Sequence, residues 1–176
     1  GSTWDTISNN PGFPARASYP KIMNIAVNPT NANQVWVCFG GTNAGTKIVY
    51  SSNGGNSWTN VTGSLPNNLP VNCIAVDENN NAYCGNDFGV FYRAAGWTDW
   101  KPFYNGLPRV PVTDLHISTT LNRIRAATFG RGVWESDLYS GCEINVTVAG
   151  SQEGQLMIDA SGVVTTSAKT IGGEGS

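Results

Sequence analysis

The chain has 176 residues, of which 40% are hydrophobic and only 12% charged, with a formal net charge of −2. That charged share is about half the usual one, and with no basic stripe to displace counterions from phosphates, nucleic-acid binding is excluded as an expectation. No run of about 18 apolar residues occurs, so no membrane span is expected either.

What stands in place of charge is 21 Gly, 9 Pro and many Asn, Ser and Thr, together with six Trp, six Tyr and six Phe. Short aromatic and β-branched runs punctuated by Asn, Gly and Pro predict strands and tight turns. No stretch shows a helical period, so no helix is expected.

In chain order, Trp4-Asp5-Thr6-Ile7-Ser8 reads as one isolated strand. Residues 21–66 then read as four strands, at 21–28, 34–40, 47–51 and 57–62. Residues 71–108 repeat the pattern at 71–77, 82–86, 90–93 and 100–104. Residues 112–138 begin it again at 112–118, 123–128 and 133–136, and the fourth strand is missing. In residues 142–176, 144–148 alternates cleanly and 155–158 and 162–165 follow as further short β segments, so this stretch reads as a β-rich linker or the start of another domain.

The units align with one another. Tyr50 and Trp58 meet Tyr92 and Trp100 at an offset of 42, as Gly63-Ser64-Leu65-Pro66 meets Asn105-Gly106-Leu107-Pro108. A period of roughly 41–49 residues is that of propeller blades. The expected fold is therefore all-β: a partial β-propeller of about three four-stranded blades over residues 3–140, with a short C-terminal β-rich appendix. Neighbouring blades would cover each other through Tyr50, Trp58, Tyr92, Trp100 and Trp134. The N-terminal strand 4–8 resembles the two fourth strands around Trp58 and Trp100 and offers itself as the missing one. Three blades are too few to close a ring, which leaves a piece of a larger propeller (the preferred reading), edge-to-edge pairing with another propeller half, or an open arc.

The four cysteines, Cys38, Cys73, Cys84 and Cys142, form no C-x-x-C pair. A zinc ribbon or redox motif is not expected. Cys38, Cys73 and Cys84 read as small buried hydrophobes. The competing reading pairs Cys73 with Cys84 across the hairpin that turns at 77–81.

Ser51-Ser52-Asn53-Gly54-Gly55-Asn56-Ser57-Trp58 resembles the Asp-box, the bacterial neuraminidase repeat S-x-D-x-G-x-T-W. Asn53 replaces its Asp and Ser57 its Thr, and the second unit keeps only Gly96 and Trp100. The resemblance implies a structural turn between third and fourth strands, built on Ser51, Asn53, Gly55, Ser57 and Trp58 and lying away from any catalytic face. The family it points to includes sialidases, xyloglucanases, sortilin-type receptors and many non-catalytic modules. The stretch 121–138 resembles the closing blade of large exported Bacteroidetes proteins that carry a type IX secretion signal, which implies a secreted or cell-surface bacterial protein.

No catalytic constellation stands out. Glycosidases need two carboxylates across a cleft, and of the acids Asp87, Asp114, Glu135 and Asp137 lie nearest the expected inner strands. Arg93, Arg109, Arg123, Arg125 and Arg131 show no spacing that singles out a sialidase-type triad. His116, the one histidine, alternates off the core side of its strand. No metal or cofactor site is expected. Asp87 and Arg131, on bends beside glycines, are the candidate surface recognition residues. The residues favour a non-catalytic scaffold or a recognition module for a glycan or protein; the alternative is a fragment of a glycoside hydrolase whose catalytic residues lie largely in missing blades.

Overall fold

The structure, a computed structural model, describes residues 3–15, 21–42 and 45–140, and the backbone of 155–158 and 164–167. Its contacts divide the chain into two units, Gly1–Tyr139 and Ser140–Ser176. All regular elements among the described residues are strands.

The first unit is a partial β-propeller of three antiparallel blades. The first blade runs β1 (Ile22–Asn28), β2 (Asn31–Phe39), β3 (Ile48–Ser51), β4 (Thr59–Asn60), in that spatial order. The second repeats it with β5 (Val71–Val76), β6 (Ala82–Asn86), β7 (Gly89–Arg93) and β8 (Lys101–Pro102). The third has three strands, β9 (Val112–Ser118), β10 (Arg123–Thr128) and β11 (Gly132–Asp137), with β10 in the middle. β1 packs beside β5 and β5 beside β9, so the first strands form the inner row.

The strands depart most from the sequence reading at β2 and at the two fourth strands. β2 starts at Asn31 rather than 34, because pairing with β1 runs on to the turn, with Asn31 opposite Asn28. The Asn28 side chain holds that turn by accepting from Thr30 N (2.8 Å) and Thr30 Oγ1 (2.9 Å). The fourth strands shrink to two residues, paired as Tyr50–Thr59 with Val49–Asn60, and as Tyr92–Lys101 with Phe91–Pro102. Pro102 has no N–H to extend a ladder, and such a residue sits only on an edge strand.

Side-chain alternation sends successive residues of each strand to opposite inter-blade layers. Trp36, Cys38, Ile48 and Tyr50 of the first blade meet Ile74, Val76, Ala82, Cys84 and Phe91 of the second. Ala75, Tyr83 and Tyr92 on the second blade's other face meet Leu115, Ile117, Ile124 and Ala126 of the third. A buried aromatic such as Trp36 or Tyr83 hides about 150–250 Å², an upper bound of about 4–6 kcal/mol of transfer free energy. Trp100 and Tyr50 lie in the first layer and Tyr92 in the second, as the repeat implies. Trp58 packs with Phe13, Phe39 and Val37 on the first blade's outward face, and Trp134 stays 40% exposed.

The N-terminal segment does not complete the third blade. Residues 3–7 form no strand, and the segment lies on the first blade instead. Pro11 O accepts from Trp58 N (2.8 Å), Ile7 O accepts from Trp58 Nε1 (3.3 Å), and Asn10 Nδ2 donates to Gly55 O (2.7 Å). Phe13 sets its ring edge-on to Trp58 and Phe39. An open arc of three blades keeps this end of the chain with the blade that follows it.

Cys38, Cys73 and Cys84 are free and buried. In the β5–β6 hairpin Cys84 stands opposite Ile74, and Cys73 opposite Gly85. That one-residue offset turns the two thiols to opposite faces, Cys84 into the first layer and Cys73 into the second, so no disulfide joins them. Cys142 lies outside the described residues. In the second unit, β12 (Gln155–Ile158) and β13 (Val164–Ser167) pair antiparallel, Gln155 opposite Ser167. The strand expected at 144–148 also lies outside the described residues.

Candidate functional site

The turn between β3 and β4 is a closed hydrogen-bonded latch. Ser51, fully buried at the end of β3, accepts through Oγ from Gly55 N (2.8 Å) and donates to Asn53 Oδ1 (2.8 Å). Asn53 Oδ1 also accepts from Ser57 N (2.9 Å), and Asn53 Nδ2 donates to Ser57 Oγ (2.9 Å). Gly54 and Gly55 take φ of 67° and 89°, a region other residues enter with strain. At Gly55 a Cβ would also stand 2.8 Å from Ile7 Cδ1, a side-chain end that can move aside, so it is the positive φ that favours glycine there. Trp58 leaves the turn into the apolar cluster, 6% exposed. All five residues of the motif are thus brought together: the Ser51, Asn53 and Ser57 side chains are spent within the turn, and Gly55 O and Trp58 bond the N-terminal segment. The arrangement fixes the strand-to-strand geometry.

The equivalent turn of the second blade has lost the latch. Trp97 N bonds back to Ala94 O (3.0 Å), with Gly96 at φ 85°. Asp99 takes over: its Oδ1 accepts from Ser64 N (2.6 Å) in the preceding blade and from Trp100 N (2.9 Å). Hydrogen bonds from Ser64 hold the Asp99 carboxyl below the ordinary carboxylate range.

Asp87 and Arg131 occupy comparable bends, between β6 and β7 and between β10 and β11, and both are exposed. No ion pair joins them among the described residues. Asp87 Oδ1 accepts from Asn72 Nδ2 (2.9 Å), and Asn86 Oδ1 caps the bend by accepting from Phe88 N (2.8 Å) and Gly89 N (3.0 Å). Next to Asp87 stands a group the sequence reading missed. The exposed Arg109 guanidinium lies over Phe88 (4.3 Å to the ring centre) and Tyr104 (5.2 Å), whose rings meet edge-on. In the sequence nothing sets Arg109 apart from Arg93, Arg123, Arg125 and Arg131. Its stacking joins residues from separate turns, and no local pattern carries that.

The arginines do not converge. Arg93 lies over Trp36 at 5.6 Å, and Arg123 and Arg125 project from β10 onto β11. There Arg123 pairs with Asp137 (3.0 Å) and Glu135 (3.6 Å), and Arg125 with Glu135 (2.8 Å). These pairs are well exposed, so each contributes little to stability. Asp77 spends its carboxylate inside its own turn, accepting from Asn79 N, Asn81 N and Asn81 Nδ2. His116 is exposed on the open face of the third blade, opposite Arg125. No group of three or more His, Cys, Asp or Glu side chains suited to a metal occurs among the described residues.

A cavity of about 340 Å³ opens between the second and third blades. Its walls include Val90, Phe103, Leu107, Leu115, Ala126 and Trp134. Glu135 is the one acidic residue of its lining, but its side chain leaves the other face of the sheet, where Arg123 and Arg125 hold its carboxylate.

No family model matches the chain, and no curated protein matches it. Among solved structures, two of the extracellular domain of BT4673 from B. thetaiotaomicron are similar. One, described as part of a hybrid two component system, is 17% identical over 87% of this chain and 21% of its own, with a TM-score of 0.50. The other, described as part of a one component system, is 16% identical over 86% of this chain and 21% of its own, with a TM-score of 0.51. An ancestral GH74 enzyme is 20% identical over 71% of this chain and 18% of its own, with a TM-score of 0.49. The chain thus spans about a fifth of the length of the structures it matches. At these identities, what this chain shares with the BT4673 domains is its fold.

Proposed function

We propose that this chain is a non-catalytic segment of an Asp-box β-propeller in a larger secreted or cell-surface bacterial protein, where it serves as scaffold and as recognition surface for a glycan or protein. The observation that carries the reading is the inter-blade cavity, whose one acidic lining residue, Glu135, turns its carboxylate to Arg123 and Arg125 on the other face of the sheet. Glycoside hydrolysis needs two carboxylates, one free to give a proton and one to attack or to activate water. The latch at 51–58 supports the Asp-box assignment, since an Asn amide and two Ser hydroxyls satisfy the same turn that a carboxylate would.

The recognition surface is assigned to the end of the second blade, where the Arg109 guanidinium rests against the Phe88 and Tyr104 rings beside Asp87 and Asn72. A guanidinium held by ring faces keeps its N–H edge free for an acceptor. Asp87 adds a carboxylate acceptor of the kind that sugar hydroxyls or peptide N–H groups use, and Asn72, whose Nδ2 donates to Asp87 Oδ1 and to Val112 O, fixes its position. Arg131, on the equivalent bend of the third blade, extends this rim. The test is a glycan array together with turnover assays on xyloglucan and sialosides. Binding without hydrolysis, weakened at least tenfold in Arg109→Ala, is expected. Hydrolysis by the purified chain, lost on changing Asp87 or Asp114, overturns the non-catalytic reading.

A further inference from the structure

We infer that the cavity between the second and third blades is the seat of a fourth-strand tryptophan, and that its occupant is Trp4 of a second copy of this chain. The inference is independent of the recognition surface proposed above, and it concerns this chain by itself, in which a second copy stands where the larger protein would place its further blades.

The cavity has a filled counterpart one blade earlier. Trp100 sits between the first and second blades among Val61, Leu65, Ile74, Cys84 and Phe91, and donates through Nε1 to Val61 O (2.7 Å). A shift of 42 residues turns Val61 and Leu65 into Phe103 and Leu107. The sheet register turns Ile74, Cys84 and Phe91 into Leu115, Ala126 and Trp134, since Cys84 stands between Ile74 and Phe91 as Ala126 stands between Leu115 and Trp134. These five residues all line the cavity. The backbone repeats as well: Val61 N donates to Ile48 O (3.0 Å), and Phe103 N to Val90 O (2.8 Å). Only the indole is missing. Its loss shows in the wall, where Phe91 is 7% exposed but Trp134 is 40% exposed. Among the described residues β11 also keeps an unpaired outer edge, and all six of its residues are exposed.

The other end of the chain carries the missing part. In Trp4-Asp5-Thr6-Ile7, Ile7 follows its tryptophan by three, as Val61 follows Trp58 and Phe103 follows Trp100. Ile7 O accepts the Trp58 indole (3.3 Å) as Val61 O accepts that of Trp100. Phe13 N then turns back to Asn10 O (3.2 Å) as Leu65 N does to Thr62 O (3.2 Å) and Leu107 N to Tyr104 O (3.0 Å). Toward the first blade the N-terminal segment is therefore a fourth strand in all but its sheet. Trp4 itself is fully exposed. A strand without a sheet at one end and a sheet without a strand at the other are two halves of one junction. Within a single copy the segment is held on the first blade, so the halves meet between copies. Joined at both ends, two copies give six blades, within the usual range of about 4–8 for a closed ring, and each junction continues the inter-blade packing already present inside the chain.

The test is the mass of the full chain in solution by light scattering and sedimentation, with two variants. Trp4→Ala removes the plug. Ala126→Phe fills the seat from inside, and circular dichroism checks that both variants keep the wild-type fold. The expected result is a dimer for the wild type and monomers for each variant alone. An equimolar mixture of the two is expected to form a heterodimer, because the intact seat of one meets the intact Trp4 of the other. A monomeric wild type, or a dimer that survives Trp4→Ala, overturns the inference. So does a mixture that stays monomeric while both variants are folded.

Discussion

The indole of Trp100 reaches across the boundary between the first and second blades and donates to the carbonyl of Val61 at 2.7 Å, with both residues buried. One side chain thus supplies apolar area to the layer and the partner that a buried backbone oxygen requires. Trp100→Ala is expected to lower unfolding stability by about 3–5 kcal/mol, the usual cost of emptying a large core site. Trp100→Phe keeps much of the area but strands the Val61 oxygen, at about 1–3 kcal/mol. Urea denaturation followed by circular dichroism measures both, and equal midpoints for Trp100→Ala and wild type would sink the plug reading.

The latch at 51–58 makes a prediction about chemical equivalence. Asn53 Oδ1 accepts from Ser51 Oγ and Ser57 N, while Asn53 Nδ2 donates to Ser57 Oγ. In Asn53→Asp the Ser57 hydroxyl turns round and donates, so every bond survives and stability stays within about 0.5 kcal/mol of wild type. Asn53→Ala leaves those groups without their partner and is expected to cost about 1–2 kcal/mol. Thermal midpoints of the two variants decide it.

Asp99 makes stability depend on pH. Ser64 holds its folded-state carboxyl below the ordinary value, which lies at about 3.9 in an unfolded chain. The ionised form is the one that folding favours, so the contribution is complete above that unfolded value and drains away as pH falls through the lower folded one. Asp99→Asn is expected to flatten the acid limb of the stability curve below about pH 4 relative to wild type. Denaturant midpoints taken across that range check it, and parallel curves would remove Asp99 from the account.

The buried thiols are expected to be chemically silent. Burial pushes the thiols of Cys38 and Cys73 up to about 12 and raises that of Cys84 as well. In a Cys142→Ser variant at pH 8, a thiol reagent such as Ellman's should find no reactive group in the native protein and three after denaturant is added. A fast native reaction would mean that the inter-blade layers open readily.

The sequence by itself determined the repeat and therefore the fold class, because the period of about 42 residues, the strand alternation and the turn residues are all local. The Ser51–Trp58 latch was legible for the same reason: its members lie within eight consecutive residues, and their donors and acceptors match one another without outside help. Tertiary structure alone decided what depends on which surfaces meet. It set the N-terminal segment on the first blade rather than the third, because Trp58 offers it an indole N–H and an apolar face. It turned Cys73 and Cys84 to opposite layers through a register offset of one residue. It laid Arg109 over Phe88 and Tyr104 and left Trp134 beside an unfilled cavity. Local pattern fixes how each strand forms, whereas burial of one blade depends on the neighbour supplied to it.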